Sequence, residues 1–512
     1  MHSRILLGAG LLGLVGCGVF GSDGSAPTPP AGEAPPVVTQ DDGGLPEGAP
    51  PPSVGTPASD ELTNQFGVFV TTSGSSDGDG TKEHPFATIG AGIERVKDLK
   101  LRVYVCAGTY KESLTLVNAV SVIGSLGCDG GVWKTGGAPS FIVAPTSPAL
   151  RAKDITLSTR FDGFNVLAPI GSATSRSSIA LIAENASALT VANTKLAAVK
   201  AFEGADGTDG IQLTLGANAK GTDGLAPAGP FNPNPFKIPY QKGQPGGVGS
   251  CVGAPGHDGE SGFPGGNGET DRCLLSSPGV YSWTLVGSDF RTDGAPHLNS
   301  PGTPGLDGAS ASAVGTFSSD GYAPASGTAG TDGSPGHGGH GSNGGGPPGP
   351  GCTGTPEGEY IFGGAGAGGG AGGCPGLAGT PGGGGGASIA ALIFASAGLS
   401  FTTSELVAGA GGSGGKGVFG SAITEGGAGG VYGFSGGFST NGGTGGRAGF
   451  SGNGAGGPSG ALAYTGGDVV IAQDSHLTPG TAGAGVAART NAATNVTIPA
   501  SASGPAMPVL QF

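Results

Sequence analysis

One block of about twenty residues returns three times along the chain, and the excursions between the copies are dominated by glycine. Ser178-Ile179-Ala180-Leu181 leads to Leu189-Thr190-Val191-Ala192-Asn193-Thr194-Lys195-Leu196. Ser388-Ile389-Ala390-Ala391 leads to Leu399-Ser400-Phe401-Thr402-Thr403-Ser404-Glu405-Leu406. Ser459-Gly460-Ala461-Leu462 leads to Val470-Ile471-Ala472-Gln473-Asp474-Ser475-His476-Leu477. The first Ser and the last Leu are 18 apart in every copy (196−178, 406−388, 477−459). A weaker fourth copy ends in Thr284-Leu285-Val286-Gly287-Ser288-Asp289-Phe290. Short β segments that recur, each unable to bury its apolar side alone, predict a stacked solenoid. Leu196, Leu406 and Leu477 then become inward side chains of one stack. Asn193, Thr403 and Asp474 take an equivalent polar position between layers.

Glycine supplies 113 of 512 residues, about three times the usual ~7%, and only 11% of the chain is charged. A large compact α/β core is excluded, and so is disorder driven by charge. The net charge of −14 leaves no basic stripe to neutralise phosphates, so nucleic acid is not an expected partner.

Arg4 followed by the apolar run Ile5 to Val15 fits the core of a signal peptide and is too short to cross a bilayer, which takes about twenty residues. It ends in Leu14-Val15-Gly16-Cys17, which resembles the bacterial lipobox, so Cys17 is the expected lipidation site and the membrane the expected partner through that anchor. Gly18 after the cysteine is compatible with export to the outer membrane in lipoproteins of Gram-negative type. Residues 18–62 are rich in Pro, Gly and Ala and predict an extended tether.

The six remaining cysteines fall into pairs 22 apart: Cys106 and Cys128, Cys251 and Cys273, Cys352 and Cys374. An even count after an export signal predicts disulfides. If one layer takes about 22 residues, Cys128 lies one layer, about 4.8 Å, above Cys106, within disulfide reach. Metal binding needs closer ligand spacing than any of these pairs offers.

Between Phe66 and Gly124 the texture is specific. Gly67-Val68-Phe69-Val70 is a short strand, and Ile89, Ile93 and Val96 fall on one helical face with Leu99 at its edge. Three short β runs follow: 103–110, 114–116 and 120–124. Gly80-Thr81-x-x-x-Pro85-Phe86-x-Thr88-Ile89, then Val103-Tyr104-Val105 and Gly108-Thr109-Tyr110-x-Glu112, resembles the opening of pectin-lyase-like proteins. The resemblance implies an all-β, right-handed parallel β-helix whose first coil is capped by a short amphipathic helix. Beyond the cap, Ile155-Thr156-Leu157 and Phe164-Asn165-Val166 read as further strands.

The excursions carry glycine at every third residue, as at Gly253 through Gly268 and Gly327 through Gly339. Period three matches a polyproline-II-type helix, in which glycine allows close approach. The texture resembles the glycine-rich (PGRS-like) repeat domains of bacterial surface proteins. Two readings stand, a bundle of polyglycine-like helices and flexible loops. The organisation expected is a signal peptide over 1–17, the tether over 18–62, and an N-terminal β-helix with its cap over 63–200. Glycine-rich insertions follow over 201–387, with an embedded coil near 278–292. A coil over 388–407, an insertion over 408–458 and C-terminal coils over 459–512 complete the chain.

Polygalacturonase-like enzymes carry Asn-Thr-Asp, Asp-Asp, Gly-His-Gly and Arg-x-Lys along one face, with carboxylates as acid and base. Here Asn193-Thr194-Lys195 has Lys in place of the carboxylate, and the only Asp pair, Asp41-Asp42, is in the tether. Gly336-His337-Gly338 lies in a low-complexity run. No catalytic set is assigned. Gly-x-Asp-Gly recurs around Asp206, Asp209, Asp223, Asp258, Asp307 and Asp332. Carboxylates and loop carbonyls suit calcium, but Asp-Gly is among the commonest turn dipeptides, and turn chemistry is the favoured reading. His337 and His340 lack identifiable co-ligands, so neither a metal site nor a cofactor is assigned. The expectation is an exported, lipid-anchored, non-catalytic protein of the outer membrane or cell surface. Its role would be structural or adhesive, its glycine-rich face touching surface polysaccharide or other surface proteins. The alternative is a divergent carbohydrate-active β-helix enzyme, either a polysaccharide lyase or a hydrolase.

Overall fold

The structure, a computed structural model, describes residues 55–231, 241–268, 270–277, 280–287, 299–345, 360–431 and 438–512. Three parallel sheets dominate it. Sheet 1 orders Gly67–Ser75, Arg102–Cys106, Val122–Leu126, Thr159–Asp162, Leu189–Ala192, Ser400–Thr402 and Val470–Ile471. Sheet 2 orders Thr109–Tyr110, Ser140–Val143, Phe164–Leu167, Lys195–Ala197, Glu405–Val407 and His476–Thr478. Sheet 3 orders Leu114–Leu116, Leu150–Lys153, Ser178–Glu184, Ser388–Phe394, Ser459–Thr465 and Ala506–Gln511. The chain visits the sheets in the repeating order 3, 1, 2, so each visit adds one layer.

The predicted interior column exists and is longer than the repeats alone indicated. Tyr110, Ile142, Val166, Leu196, Leu406 and Leu477 lie in register across sheet 2. Val103, Val122, Phe161, Val191, Phe401 and Ile471 do the same in sheet 1. Leu114, Leu150, Leu181, Ala391, Leu462 and Val509 complete the set in sheet 3. Most of these side chains belong to one buried cluster, and each fully buried one contributes about 1.5–3 kcal/mol.

The corners explain the polar positions of the repeat. Asn193 (φ 45°) and Thr403 (φ 47°) turn the chain from sheet 1 to sheet 2 through the left-handed region. Asn185 (φ 49°) turns it from sheet 3 to sheet 1. Their side chains bond between layers: Asn193 Nδ2 donates to Asp162 Oδ1 at 2.8 Å, and Thr403 Oγ1 donates to Asp474 Oδ2 at 2.7 Å. Ile155-Thr156-Leu157, read above as a strand, is another such corner. Asp154 is left-handed there (φ 55°), and Asn118 Oδ1 accepts the N–H groups of Thr156 and Leu157.

Helix α1 (Ile89–Val96) packs Ile89, Ile93 and Val96 into the same core. Thr88 is its N-cap, and the Glu112 carboxylate accepts the N–H groups of Ile89 and Gly90 at 2.8 and 2.9 Å. Gly92, a weak helix former, is required here: a Cβ would lie 2.8 Å from Val103 Cγ1. The tether ends earlier than expected, because Thr56 bonds Asp162, Glu61 pairs with the buried Arg102, and Leu62 is buried. Thr284–Gly287 also departs from expectation. It belongs to Val280–Gly287, which pairs antiparallel with its sequence neighbour Thr270–Ser277 in a separate four-stranded sheet. Residues 288–298 lie outside the described ones. Local antiparallel pairing, with a short loop to close, takes precedence over a distant stack.

The glycine-rich excursions all leave after sheet 2 and return to sheet 3, and they are packed. A β ladder repeats every two residues, whereas these segments bond at every third, the signature of a threefold extended helix. Gly373, Gly376, Gly382 and Gly385 donate to the carbonyls of Gly443, Gly446, Gly452 and Ala455. Residues 363–387 are surrounded. Their N–H groups reach 260–266, 219–222 and 440–455. Their carbonyls accept from 327–345, from 244 and 247, and from 412–430. Six neighbours satisfy a backbone that has almost no side chains to bury. Gly369 shows why glycine is needed, since a Cβ there would sit 2.0 Å from Gly339 O. We predict that Gly369→Ala lowers stability by more than ~3 kcal/mol through overpacking that rigid backbone cannot relieve. Gly55→Ala, with open space around it, should melt like the parent. Equal melting of the two variants would contradict the packed bundle.

Candidate functional site

Side chains at the outer positions of sheet 2 form a surface ladder, because successive layers superpose the same position of each strand. Thr109, Phe141, Asn165, Lys195, Glu405 and His476 are in register along one column. Val143, Leu167, Ala197, Val407 and Thr478 form the next. Phe141 and Leu167 are 44% and 40% exposed. The face is thus apolar in its early layers and charged in its later ones. Lys195 Nζ meets Glu405 Oε2 at 2.8 Å, and His476 occupies the layer beyond Glu405.

The electrostatics of this ladder favour ionised carboxylates. The Lys195 ammonium, by hydrogen bond and by charge, holds Glu405 below the usual carboxylate range, and His476 adds to this. The Thr403 hydroxyl and N–H groups lower Asp474 in the same way. A general acid needs the opposite shift. Asp162, on the outer face of sheet 1, is held by Arg160 Nε, Asn193 Nδ2 and Thr56 Oγ1. Of these, the Asn193 bond ties two layers together, the Arg160 bond stays within one strand, and the Thr56 bond anchors the N-terminal segment. Outer sheet 3 is covered instead: Phe317 and Tyr322 of the hairpin Thr316–Ser318/Gly321–Ala323 lie over Ile179, Ile182 and Leu392.

The remaining sequence candidates lie in the glycine bundle. His337 Nδ1 is 3.0 Å from Glu260 Oε2, and the His340 ring stacks on Phe263, so the two histidines make separate contacts. Among the described residues no group of three or more His, Cys, Asp or Glu could hold a metal ion. Turn chemistry describes Asp258, whose Oδ1 accepts Cys251 N–H seven residues away. It does not describe four of the other tetrads. Asp206, Asp223, Asp307 and Asp332 accept N–H groups from Lys416, Val431, Phe450 and Ala378, each on a neighbouring helix. The carboxylate takes the place of a carbonyl where the lattice has none. No local pattern distinguishes this use of Asp-Gly from a turn.

Cys106 and Cys128 form a disulfide with Cα atoms 5.8 Å apart, joining the end of Arg102–Cys106 to the chain just past its partner strand Val122–Leu126. The second pairing differs from the spacing argument, because Cys251 is bonded to Cys374 rather than to Cys273. The step from Arg102–Cys106 to Val122–Leu126 takes about twenty residues, but a threefold helix advances about 3.1 Å per residue. Residues 258–268 therefore carry the chain about 30 Å away from Cys251 before Cys273 is reached. Cys17, Cys352 and the side chain of Cys273 lie outside the description. One role was missed in the sequence although its signal was present. Ser178, Ser388 and Ser459, first in every copy, accept N–H groups from Val199, Gly409 and Gly480 at 2.9, 2.9 and 2.8 Å.

Two outcomes follow from these contacts. Arg447 first, then Phe450 N–H, lowers the Asp307 pKa, and Lys220 with Val431 N–H lowers Asp223. A depressed folded pKa contributes stability above the unfolded value of about 3.9. That stability is lost as pH falls through the folded value. The melting temperature should be level from about pH 5 to 7 and fall below about pH 4, with a shallower fall in Asp307→Asn. A profile identical to the parent's would remove Asp307 from the account. Non-reducing peptide mapping should recover Cys251 joined to Cys374, a 123-residue loop worth about 5 kcal/mol in the loop-entropy view. A Cys251–Cys273 peptide would contradict it. Among the described residues no helix is long and apolar enough to cross a membrane. Compared with known proteins, the chain matches no protein-family model, no curated protein and no solved structure.

Proposed function

We propose that the three sheets are the three faces of a right-handed parallel β-helix, each turn adding one strand to every face, and that the chain is exported and lipid-anchored through Cys17. On this reading it acts at the cell surface as a non-catalytic structural or adhesive protein. The cyclic visiting order of the sheets and the helix over the first layers support the architecture, and right-handedness is the rule for parallel crossovers. The contact surface is the outer face of sheet 2 rather than the glycine-rich face first expected. The inner glycine faces of the bundle are taken up by bonds between its helices. Sheet 2 instead displays Phe141, Val143 and Leu167 beside Lys195, Glu405 and His476.

That juxtaposition of an exposed apolar column with a charged one carries the proposal. Exposed apolar patches rimmed by polar residues mark interaction surfaces. The ionised state of Glu405 weighs against its use as a general acid. Co-sedimentation with insoluble plant and bacterial polysaccharides, read together with release of reducing ends, tests the reading. Retention without cleavage is expected, falling at least about fivefold, near 1 kcal/mol, in Phe141→Ala/Leu167→Ala. Reproducible cleavage abolished by Glu405→Gln would replace it with the carbohydrate-active enzyme.

A further inference from the structure

A cleft of about 310 Å³ opens where the hairpin over sheet 3 meets the loops entering that sheet. It takes its walls from three separate pieces of chain. Ser147 and Pro148 come from the turn before Leu150–Lys153, Ser175 to Ser177 from the loop before Ser178–Glu184, and Asp320 to Tyr322 from the hairpin. Each piece is fixed. Ile179 N–H donates to Ser147 Oγ at 3.0 Å, and Ala387 N–H donates to Ser177 Oγ at 3.1 Å. Arg151 Nη1 donates to Ser319 O at 3.1 Å, which holds the hairpin tip, and Tyr322 packs against Phe317.

Arg102, Arg160 and Arg447 each pair with a carboxylate. Arg176 instead places Nη1 on Gly384 O at 2.8 Å and makes no ion pair among the described residues. Asp320 is exposed at the hairpin tip and makes no ion-pair contact among the described residues; Lys153, bonded to Glu184 at 3.1 Å, feels its charge from a greater distance. Arg176 and Asp320 therefore line one cleft without pairing with each other. Ile179, Pro148 and Tyr322 add an apolar strip between them.

We propose that this cleft binds a small zwitterion, a free α-amino acid, with its carboxylate on Arg176 and its ammonium on Asp320. Both contacts are charge-assisted hydrogen bonds, the strong class, and the apolar strip accepts a short aliphatic side chain. A neutral sugar would use the hydroxyls but leave both charges unmatched, and a simple anion would meet Asp320 as a repulsive neighbour.

Equilibrium dialysis of radiolabelled L-alanine against the full chain tests the proposal. Saturable binding is expected, competed by glycine and L-valine but not by equal concentrations of acetate or ethylammonium. Arg176→Gln and Asp320→Asn should each weaken it at least about tenfold. Because Arg176 also braces Gly384, the hairpin-tip variant Asp320→Asn, melting like the parent, is the decisive one. Absence of saturable binding below about 10 mM, roughly −3 kcal/mol, would overturn the proposal. So would competition by acetate as strong as that by glycine, or full binding in Asp320→Asn.

Discussion

The Ser388 hydroxyl accepts the Gly409 N–H and donates to Val199 O, both within 2.9 Å. At that junction two kinds of backbone pairing become one. Everything on either side depends on hydrogen bonds that lie across the chain rather than along it. In sheet 2 they join Leu196 to Leu406 in an offset of 210 residues. Without a break the same direction of bonding joins Gly204 to Ser413 and Gly207 to Lys416. Only the repeat along the chain changes, from two residues to three. The layers of the sheets continue as layers of the glycine bundle, so the excursions inherit their alignment from the strands that launch them.

This inheritance answers an energetic difficulty. Glycine gives up more conformational freedom on folding than any other residue, and residues 363–373 bring almost no apolar side chain to offset it. Each cross-chain hydrogen bond contributes a net ~1 kcal/mol at most, so an isolated pair of such segments has little reason to order. Surrounding one segment by six gives most of its N–H and C=O groups a partner. Starting each segment at a fixed phase beside its neighbour removes much of the search. The Cys251–Cys374 bridge ties the central segment to the periphery. The aspartates at positions 206, 223, 307 and 332 close N–H groups at places where no carbonyl faces them.

What could be read in advance divides along the same line. The sheets were legible because their period is written in side chains. Leu196, Leu406 and Leu477 announce a column, Asn193 and Thr403 announce a polar position bonded between layers, and Ile89, Ile93 and Val96 announce the helix face. Cys106 and Cys128 were legible because one layer of strands takes about that length. In the bundle the side chains say little, and position is set by backbone contacts between segments hundreds of residues apart. Asp206 and Asp258 look alike in sequence, yet one bridges two helices and the other closes a turn. Cys251 and Cys374 are partners only because residues 363–387 occupy the centre, a fact that composition does not encode. The sheet 2 ladder was half legible: Lys195, Glu405 and His476 share a place in the repeat, but their exposure depends on which strand face points inward.

The division also bears on where chemistry can reside. Within 363–373 alanine already fits at 365, 367 and 371, but a Cβ at Gly366, Gly368, Gly369, Gly370, Gly372 or Gly373 would displace adjoining backbone. The outer positions of the strands carry no such restriction, since a change there alters one rung of a ladder and leaves the core columns untouched. Lys195, Glu405 and His476 occupy such positions, and so do Phe141 and Leu167. Arg176 and Asp320 stand on loops and a hairpin tip, where the constraint is looser still. The sheet faces and the loops above them therefore accept changes that the closely packed glycines at the centre of the bundle do not.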